Sequence, residues 1–295
     1  LGMALQIYSR FDVVFLPKDG ETRIWATGVS ADEIPSDERN LTYSAFCHLL
    51  SQAGASVPPV QIVTHNGIPL EGGLGGSGTA ILAGLLAANA WLDEAFAQES
   101  LITVATELDG HPDNVCPSML GGLRVACCDE KTVHALPVPC PTDLQVALVI
   151  PELQIETKAA RSVLPAEVPM ADVVFSLGRL AFLLAAFAAL EYPSLGIGMQ
   201  DRLHQPHRKA LVPQMDAVFD AATRAGAWGV ALSGAGPSVA AFCTEQAEAV
   251  ADAMEAAFAA GGVAAEALVT GIDFRGATIA RLAPDDFVAG RAPHP

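Results

Sequence analysis

Positive charge is scarce in this 295-residue sequence: lysine and arginine total 16 against 33 acidic residues, a formal net charge of -17. Holding nucleic acid or an anionic membrane takes clustered cations, so neither is expected as the main partner. An anion would have to be held locally, by backbone N–H groups and a few placed arginines. A CxxC pair is also missing. The six cysteines, Cys47, Cys116, Cys127, Cys128, Cys140 and Cys243, are scattered along the chain, which fits reduced, mostly buried thiols in the cytoplasm and not a disulfide framework. Cys127 and Cys128 are adjacent, and neighbours bridge only with strain, so ordinary packing is expected of them. Leu180 to Leu190 falls short of the roughly 20 residues that cross a bilayer and reads as a buried helix. No signal peptide precedes Leu1, and a sequence that does not begin with methionine is expected to have its natural start upstream.

Apolar content is abundant, at 51%, ample for a core in two ordinary domains or one large one. Alternation and β-branching predict strands at Ile7 to Phe15, Thr22 to Ala26 and Val60 to Thr64, and helical spacing predicts a helix at Leu41 to Ala53 capped by Asn40. Thr79 to Leu92, rich in alanine and leucine, reads as a buried helix. Glu99 to Leu108 reads as another, HPDN at 111 to 114 as a non-helical turn, and Leu123 to Cys127 as a strand. Pro137 to Pro141 interrupts the pattern and sets a boundary between domains 1–141 and 142–295. Beyond it the pattern predicts a strand at Leu144 to Ile150, a run of helices to residue 225, and strands at Gly229 to Ser233 and Ser238 to Cys243 around a glycine turn. A helix at Glu245 to Ala260 and strands at Ala264 to Thr270 and Thr278 to Leu282 follow, then a loosely held tail after Pro284. The phenylalanines between Val173 and Phe187 are core by default. The fold class is α+β.

Residues 69 to 80 read PLEGGLGGSGTA. So much glycine loses a large conformational entropy on ordering, so something must favour one shape. A glycine loop that opens a helix offers unpaired N–H groups at the positive end of the helix dipole, a ready anion site. Without lysine it is not the GxxxxGK[ST] loop, and no strand leads directly into it as a dinucleotide fingerprint requires. Taken alone it is equally a tight connection. The second segment, Glu107-Leu108-Asp109-Gly110-His111-Pro112-Asp113-Asn114, sets carboxylates at a helix end before a rigid turn with a terminal amide. That suits a magnesium ligand and a group that orients a hydroxyl, or simply a capped turn. The third, Leu232-Ser233-Gly234-Ala235-Gly236-Pro237-Ser238, is by itself a hairpin. Asp201, His204 and His207 suggest a metal site, but Pro206 breaks the spacing a zinc pair wants.

Together the three segments resemble the GHMP kinase superfamily in order and separation: PLEGGLGGSGTA its phosphate loop, GHPDN its second motif, LSGAGPSV its third. Within it the likeness is to the homoserine kinase branch, carried by GHPDNV, by Thr157-Lys158-Ala159-Ala160-Arg161 before Val163-Leu164-Pro165, and by Asp201-Arg202-Leu203-His204-Gln205-Pro206-His207-Arg208. The resemblance implies a ribosomal S5 domain 2-like N-terminal domain with a left-handed βαβ unit and a ferredoxin-like C-terminal domain, with ATP across their junction. It implies ATP- and Mg2+-dependent phosphorylation of the side-chain hydroxyl of L-homoserine in the cytoplasm, with no nucleic-acid or membrane partner and room for a homodimer. Pro69, Gly72, Gly73, Leu74, Gly75, Gly76, Ser77, Gly78 and Thr79 would wrap the triphosphate, and Ser77 with Glu107 or Asp109 would hold Mg2+. Asn114 would hydrogen-bond the attacking hydroxyl. Asp113 is a candidate base, with a structural role in the turn as its alternative. Arg161 and Arg208 would grip the amino-acid carboxylate, with Thr157, His111 and Gly234 beside them.

The sequence also departs from that pattern. Family loops often read GLGSSAA, so Gly76 and Gly78 stand here for a serine and an alanine, and Asp109 stands where glutamate is usual. The family's segment ending in GPGFD, which supplies an asparagine and an aspartate to the substrate, precedes the stretch that Leu1-Gly2-Met3-Ala4-Leu5 resembles and is not part of this sequence. Two alternatives stand beside the main reading: a kinase for another small hydroxylated metabolite, such as threonine or a sugar-like alcohol, and a nucleotide-binding homologue without catalysis.

Overall fold

A computed structural model describes residues 1–130, 132–155 and 157–282, with the backbone alone at Thr157 and Lys158. The first half runs β1 (Gly2–Met3), β2 (Arg10–Phe15), β3 (Arg23–Gly28), α1 (Leu41–Gln52), β4 (Val60–Asn66), α2 (Gly76–Trp91), α3 (Gln98–Asp109), α4 (Pro112–Leu120), β5 (Leu123–Cys128) and β6 (Val133–Val138). The second runs β7 (Gln145–Pro151), α5 (Thr157–Ser162), α6 (Met170–Ala189), α7 (Leu195–Gly198), α8 (Gln205–Arg208), α9 (Met215–Arg224), β8 (Gly229–Leu232), β9 (Val239–Cys243), α10 (Ala247–Ala260) and β10 (Ala265–Gly271).

α1 starts where Asn40 stops the extended chain. Its side-chain oxygen accepts hydrogen bonds from the N–H groups of Thr42 and Tyr43, and its amide donates to Pro35 O, so a residue only 2% exposed is fully used. Phe46, Leu49 and Leu50 of α1 then meet Ile81, Leu82 and Leu85 of α2 over Val60 and Ile62 of β4. Full burial of each such side chain stabilises by about 1.5–3 kcal/mol. Gly84 lets the two helices touch, because a Cβ there would collide with Thr42 O and stand 3.0 Å from Ala45 Cβ. β4 is flanked by antiparallel β2 and parallel β3, the β3–α1–β4 path making a βαβ unit, while β1, β5 and β6 form a separate antiparallel sheet.

The second half is an antiparallel sheet in the order β10-β7-β9-β8, the βαββαβ arrangement of a ferredoxin-like fold. Val218 and Ala222 of α9 and Val250, Met254 and Phe258 of α10 cover it. A third cluster, with Leu123, Leu144, Leu183, Phe187 and Ile272, binds the halves together. After β10 the chain returns to the first half, where Gly122 N–H donates to Asp273 O at 2.7 Å and Asp273 N–H to Ala4 O at 2.9 Å.

Several expectations change. HPDN is no irregular turn: Pro112, Asp113 and Asn114 form the first turn of α4. Proline fits there because its missing N–H is unpaired anyway and its φ is already helical. Thr278 to Leu282 forms no strand. The apolar helix begins at Met170, ten residues before the expected run, and most of it faces solvent. Phe182 is exposed and only Phe187 of its phenylalanines is buried. Asp172 and Arg179 hid its length in the sequence, since they interrupt the hydrophobic run without breaking the helix. The six thiols are free, yet only Cys116 and Cys243 are buried, and Cys127 and Cys128 are exposed at the end of β5. The stretch after Leu282, including the tail beyond Pro284, lies outside the described residues.

Candidate active site

The glycine loop ends one residue before α2, with Gly75 as cap at φ 76°. Gly76, Ser77 and Gly78 are the first turn of a 16-residue helix, and the N–H groups of a first turn have no acceptor within the helix. Gly73, at φ +74°, lies against the 233–236 turn of the other half: a Cβ on it would collide with Ser233 O and reach within 2.8 Å of Gly236 O. Ser233 Oγ donates to Gly73 O at 2.8 Å, so the two glycine segments lock together. Glycine at 73 thus answers both a left-handed backbone and a close approach.

α3 ends at Gly110, φ +88°, and α4 begins after the single cap residue His111. That short reversal gathers the acidic groups. Ser77 Oγ donates to Asp109 Oδ1 at 2.8 Å. His111 Nδ1 stands 2.9 Å from Asp109 Oδ2 and 3.8 Å from Asp113 Oδ1, and all three atoms are buried without an aligned hydrogen-bond partner. The Asp109 side chain is only 4% exposed, whereas Glu107 is an exposed residue. Asn114 sits against the loop, 3.3 Å from where a Gly75 Cβ would lie.

The third group comes from α5 and α8. Arg208 donates through Nη1 to Gly234 O at 2.9 Å and to His204 Nδ1 at 3.3 Å, and through Nε to Ala160 O at 3.3 Å. Burial holds its guanidinium below the usual range, and the positive charge of Arg161 pushes the same way against the pull of Asp201 and Asp113. Two arginines within mutual electrostatic reach are a local concentration of positive charge in a chain of net charge -17, the kind of pairing that suits an anion. Asp201 is spent on structure, accepting from the N–H groups of Leu203, His204 and Gln205. Burial would raise its carboxyl, but these donors pull it below its usual range. Burial likewise depresses the His204 imidazole, against the pull of Asp201.

A cleft of about 1750 Å3 is lined by Gly73, Gly75, Asp113, Asn114, His204 and Gly234 among others. The structure brings together the loop from Gly72 to Thr79, Asp109, His111, Asp113, Asn114, Arg208 and Gly234 through the contacts above, and Arg161 is exposed within electrostatic reach of Arg208. It leaves Glu107 aside, and the Thr157 side chain lies outside the described residues. Two contributors escaped sequence reasoning. Ser233 was legible only as a member of the third motif, with no sign that its hydroxyl would reach Gly73 O. Gln205, buried between Leu232 N–H, from which it accepts at 3.0 Å, and Met199 O, to which it donates at 3.2 Å, was legible only as part of a motif.

The profile described as GHMP kinases N terminal domain matches residues 40–122, and that described as GHMP kinases C terminal matches residues 183–260. The chain belongs to the GHMP kinase family. A homoserine kinase from Carboxydothermus hydrogenoformans is 41% identical over 94% of this chain and 90% of its own length. One from Trichormus variabilis is 40% identical over 94% and 92%. Among solved structures, a homoserine kinase from Cytophaga hutchinsonii superposes with a TM-score of 0.83 at 27% identity, covering 93% of this chain and 89% of that one. The fold is the two-domain GHMP kinase fold, with the glycine loop and the α3–α4 reversal inside the first matched stretch and the Ser233–Gly236 turn inside the second.

Proposed function

We propose that the chain transfers the γ-phosphoryl group of ATP to the side-chain hydroxyl of L-homoserine, giving O-phospho-L-homoserine and ADP. The observation that carries this reading is an anion cradle near a cationic group: Asn114 stands against Gly75 at the start of α2, and Arg208 bonds Gly234 O in the turn that packs on Gly73. One suits a triphosphate and the other a carboxylate. Relatives named homoserine kinase at about 40% identity support the choice of acceptor.

In this reading the N–H groups of Gly76, Ser77 and Gly78 bind phosphate oxygens, with Gly72 to Gly75 closing over them and Pro69 and Thr79 holding the ends. Arg161 and Arg208 fix the substrate carboxylate, beside His111 and Gly234. The hydroxyl donates to Asn114 Oδ1, which aims its lone pair at the γ-phosphorus. The new O–P bond forms as the bond to the β-phosphate oxygen breaks, and the hydroxyl proton passes to solvent. Phosphoryl transfer asks mainly for alignment and charge neutralisation, so Asp113 serves the α4 turn and is not required as a base. For Mg2+ the residues present fit: Asp109 carries a buried, unaligned carboxylate oxygen next to the Ser77 hydroxyl, and a hard cation completes its shell with nucleotide oxygens and water. Asp109 and Ser77 would hold it, and it would neutralise charge on the phosphates. We place the reaction in the cytoplasm, in keeping with six free thiols, and divide the chain at 141/142.

The test is to incubate the protein with ATP, Mg2+ and L-homoserine and to follow the phosphorus NMR signal of the product, alongside L-threonine and sugar alcohols. Phosphohomoserine is expected. Transfer to another acceptor with homoserine inert, or ATP binding without turnover, would overturn the assignment.

A further inference from the structure

A second pair of arginines comes together in this acidic chain, away from Arg161 and Arg208. Phe175 of α6 has Arg202 Cζ at 3.9 Å and Arg179 Cζ at 4.7 Å from its ring centroid, so two guanidinium groups share one aromatic ring. Each is attracted by the ring quadrupole, but the two charges repel one another. Ser176, Leu177 and Leu180 of the same helix line the cleft, whereas Phe175, Arg179 and Arg202 do not.

The neighbouring acids leave this cluster with surplus positive charge. Asp172 Oδ1 accepts from Arg202 Nη1 at 3.2 Å. The oxygens of Asp201 are taken by the Ser176 hydroxyl and by the N–H groups of Leu203, His204 and Gln205. Arg179 has no acidic partner among the described residues, and its Nε is buried without an acceptor. A buried donor left unmade costs about 1–3 kcal/mol. Packing accounts for Arg202, which joins α6 to the segment before α8 through Asp172 and the ring, and whose N–H donates to Ser176 Oγ at 3.1 Å. It does not account for Arg179, which adds repulsion and an unpaired N–H. An anion would satisfy both. The Arg202 side chain is 52% exposed, so the pair is open to solvent. A planar carboxylate matches one guanidinium fork, whereas tetrahedral oxygens can accept from two forks in different planes. We propose that Arg179 and Arg202 form a second anion site, outside the cleft, for a phosphate group that bridges the two guanidinium groups beside Phe175 and fastens α6 to the start of α8.

The ligand is the free ion or a phosphate monoester, and two titrations separate them. Melting temperature is followed against sodium phosphate and against glycerol phosphate, with sodium chloride holding the ionic strength constant so that general screening does not change. A rise is expected, larger with phosphate if the site takes the free ion and larger with glycerol phosphate if it takes an ester. Arg179→Gln is expected to weaken the apparent affinity about tenfold, as for one lost charge-assisted hydrogen bond. Arg202→Gln should do the same, and circular dichroism checks that both variants remain folded. Phosphate also suits the first turn of α2, so amide hydrogen exchange locates the binding. Slower exchange is expected at 172–179 and 201–205 when phosphate is added, and not in Arg179→Gln. No rise with either compound beyond the chloride control, an affinity unchanged in Arg179→Gln, or slowing confined to 73–79 would each overturn the proposal.

Discussion

Arg161 is exposed while Arg208 donates to three acceptors, so of the two arginines proposed for the carboxylate Arg161 is the less committed to the fold. Replacing it with alanine is expected to weaken homoserine use by about thirtyfold, roughly 2 kcal/mol, as for one lost charge-assisted pair, with the KM for ATP unchanged. Steady-state kinetics in each substrate reads this directly. The glycines of the loop should divide sharply. Gly73→Ala drives a Cβ into Ser233 O at positive φ and should cost stability and nucleotide affinity together. Gly78→Ala meets only Val115, Asn114 and Asp109 atoms at 3.5 to 3.6 Å within a helix, and should stabilise by about 0.5–1 kcal/mol. Thermal melts with and without ATP separate the two. At this scale the sequence was informative wherever a residue type is rare: arginine in an acidic chain, glycine in a cluster, carboxylates beside a proline. It was silent on Ser233 and on the choice between Glu107 and Asp109. Those depend on which face of α3 meets Ser77 and on a contact across the two halves.

Helix starts show how local chemistry and tertiary context share the work. The Asn40 cap was legible because a side-chain amide before an apolar-periodic run has one obvious use. Asn40→Ala removes an acceptor from Thr42 and Tyr43 and a donor from Pro35 O. A loss of about 1–2 kcal/mol is expected, readable as a lower urea midpoint at unchanged slope. HPDN misled because proline reads as a breaker when it stands anywhere but the first helical position. Only the completed α3 end at Gly110 shows that α4 begins at Pro112. α6 misled differently, since hydrophobic content predicts burial but cannot say against what.

For the whole molecule, acid sensitivity follows from α8. His204 is held below its ordinary range in the folded chain and protonates near 6.5 when unfolded. Only the unfolded chain then gains the proton as pH falls below about 6.5, and stability declines there. Asp201, held below its ordinary range, adds stability that is lost on further acidification, as the pH falls from about 3.8 downward. Urea midpoints at pH 7.5 and 5.5 should therefore fall for the unsubstituted chain and change less in His204→Gln. The two-domain organisation was legible from the family resemblance, which also implied the ferredoxin-like second half that the β10-β7-β9-β8 order now displays. The cleft was not, because it depends on how the halves dock. The bond from Ser233 to Gly73 joins residues 160 positions apart, and loop closure over such a separation comes late when a chain folds. On the ribosome the glycine loop emerges long before the turn that fixes its shape. Capacity to hold nucleotide is therefore acquired after residue 236 has been made and folded, and a growing chain short of that point carries the motif without its grip.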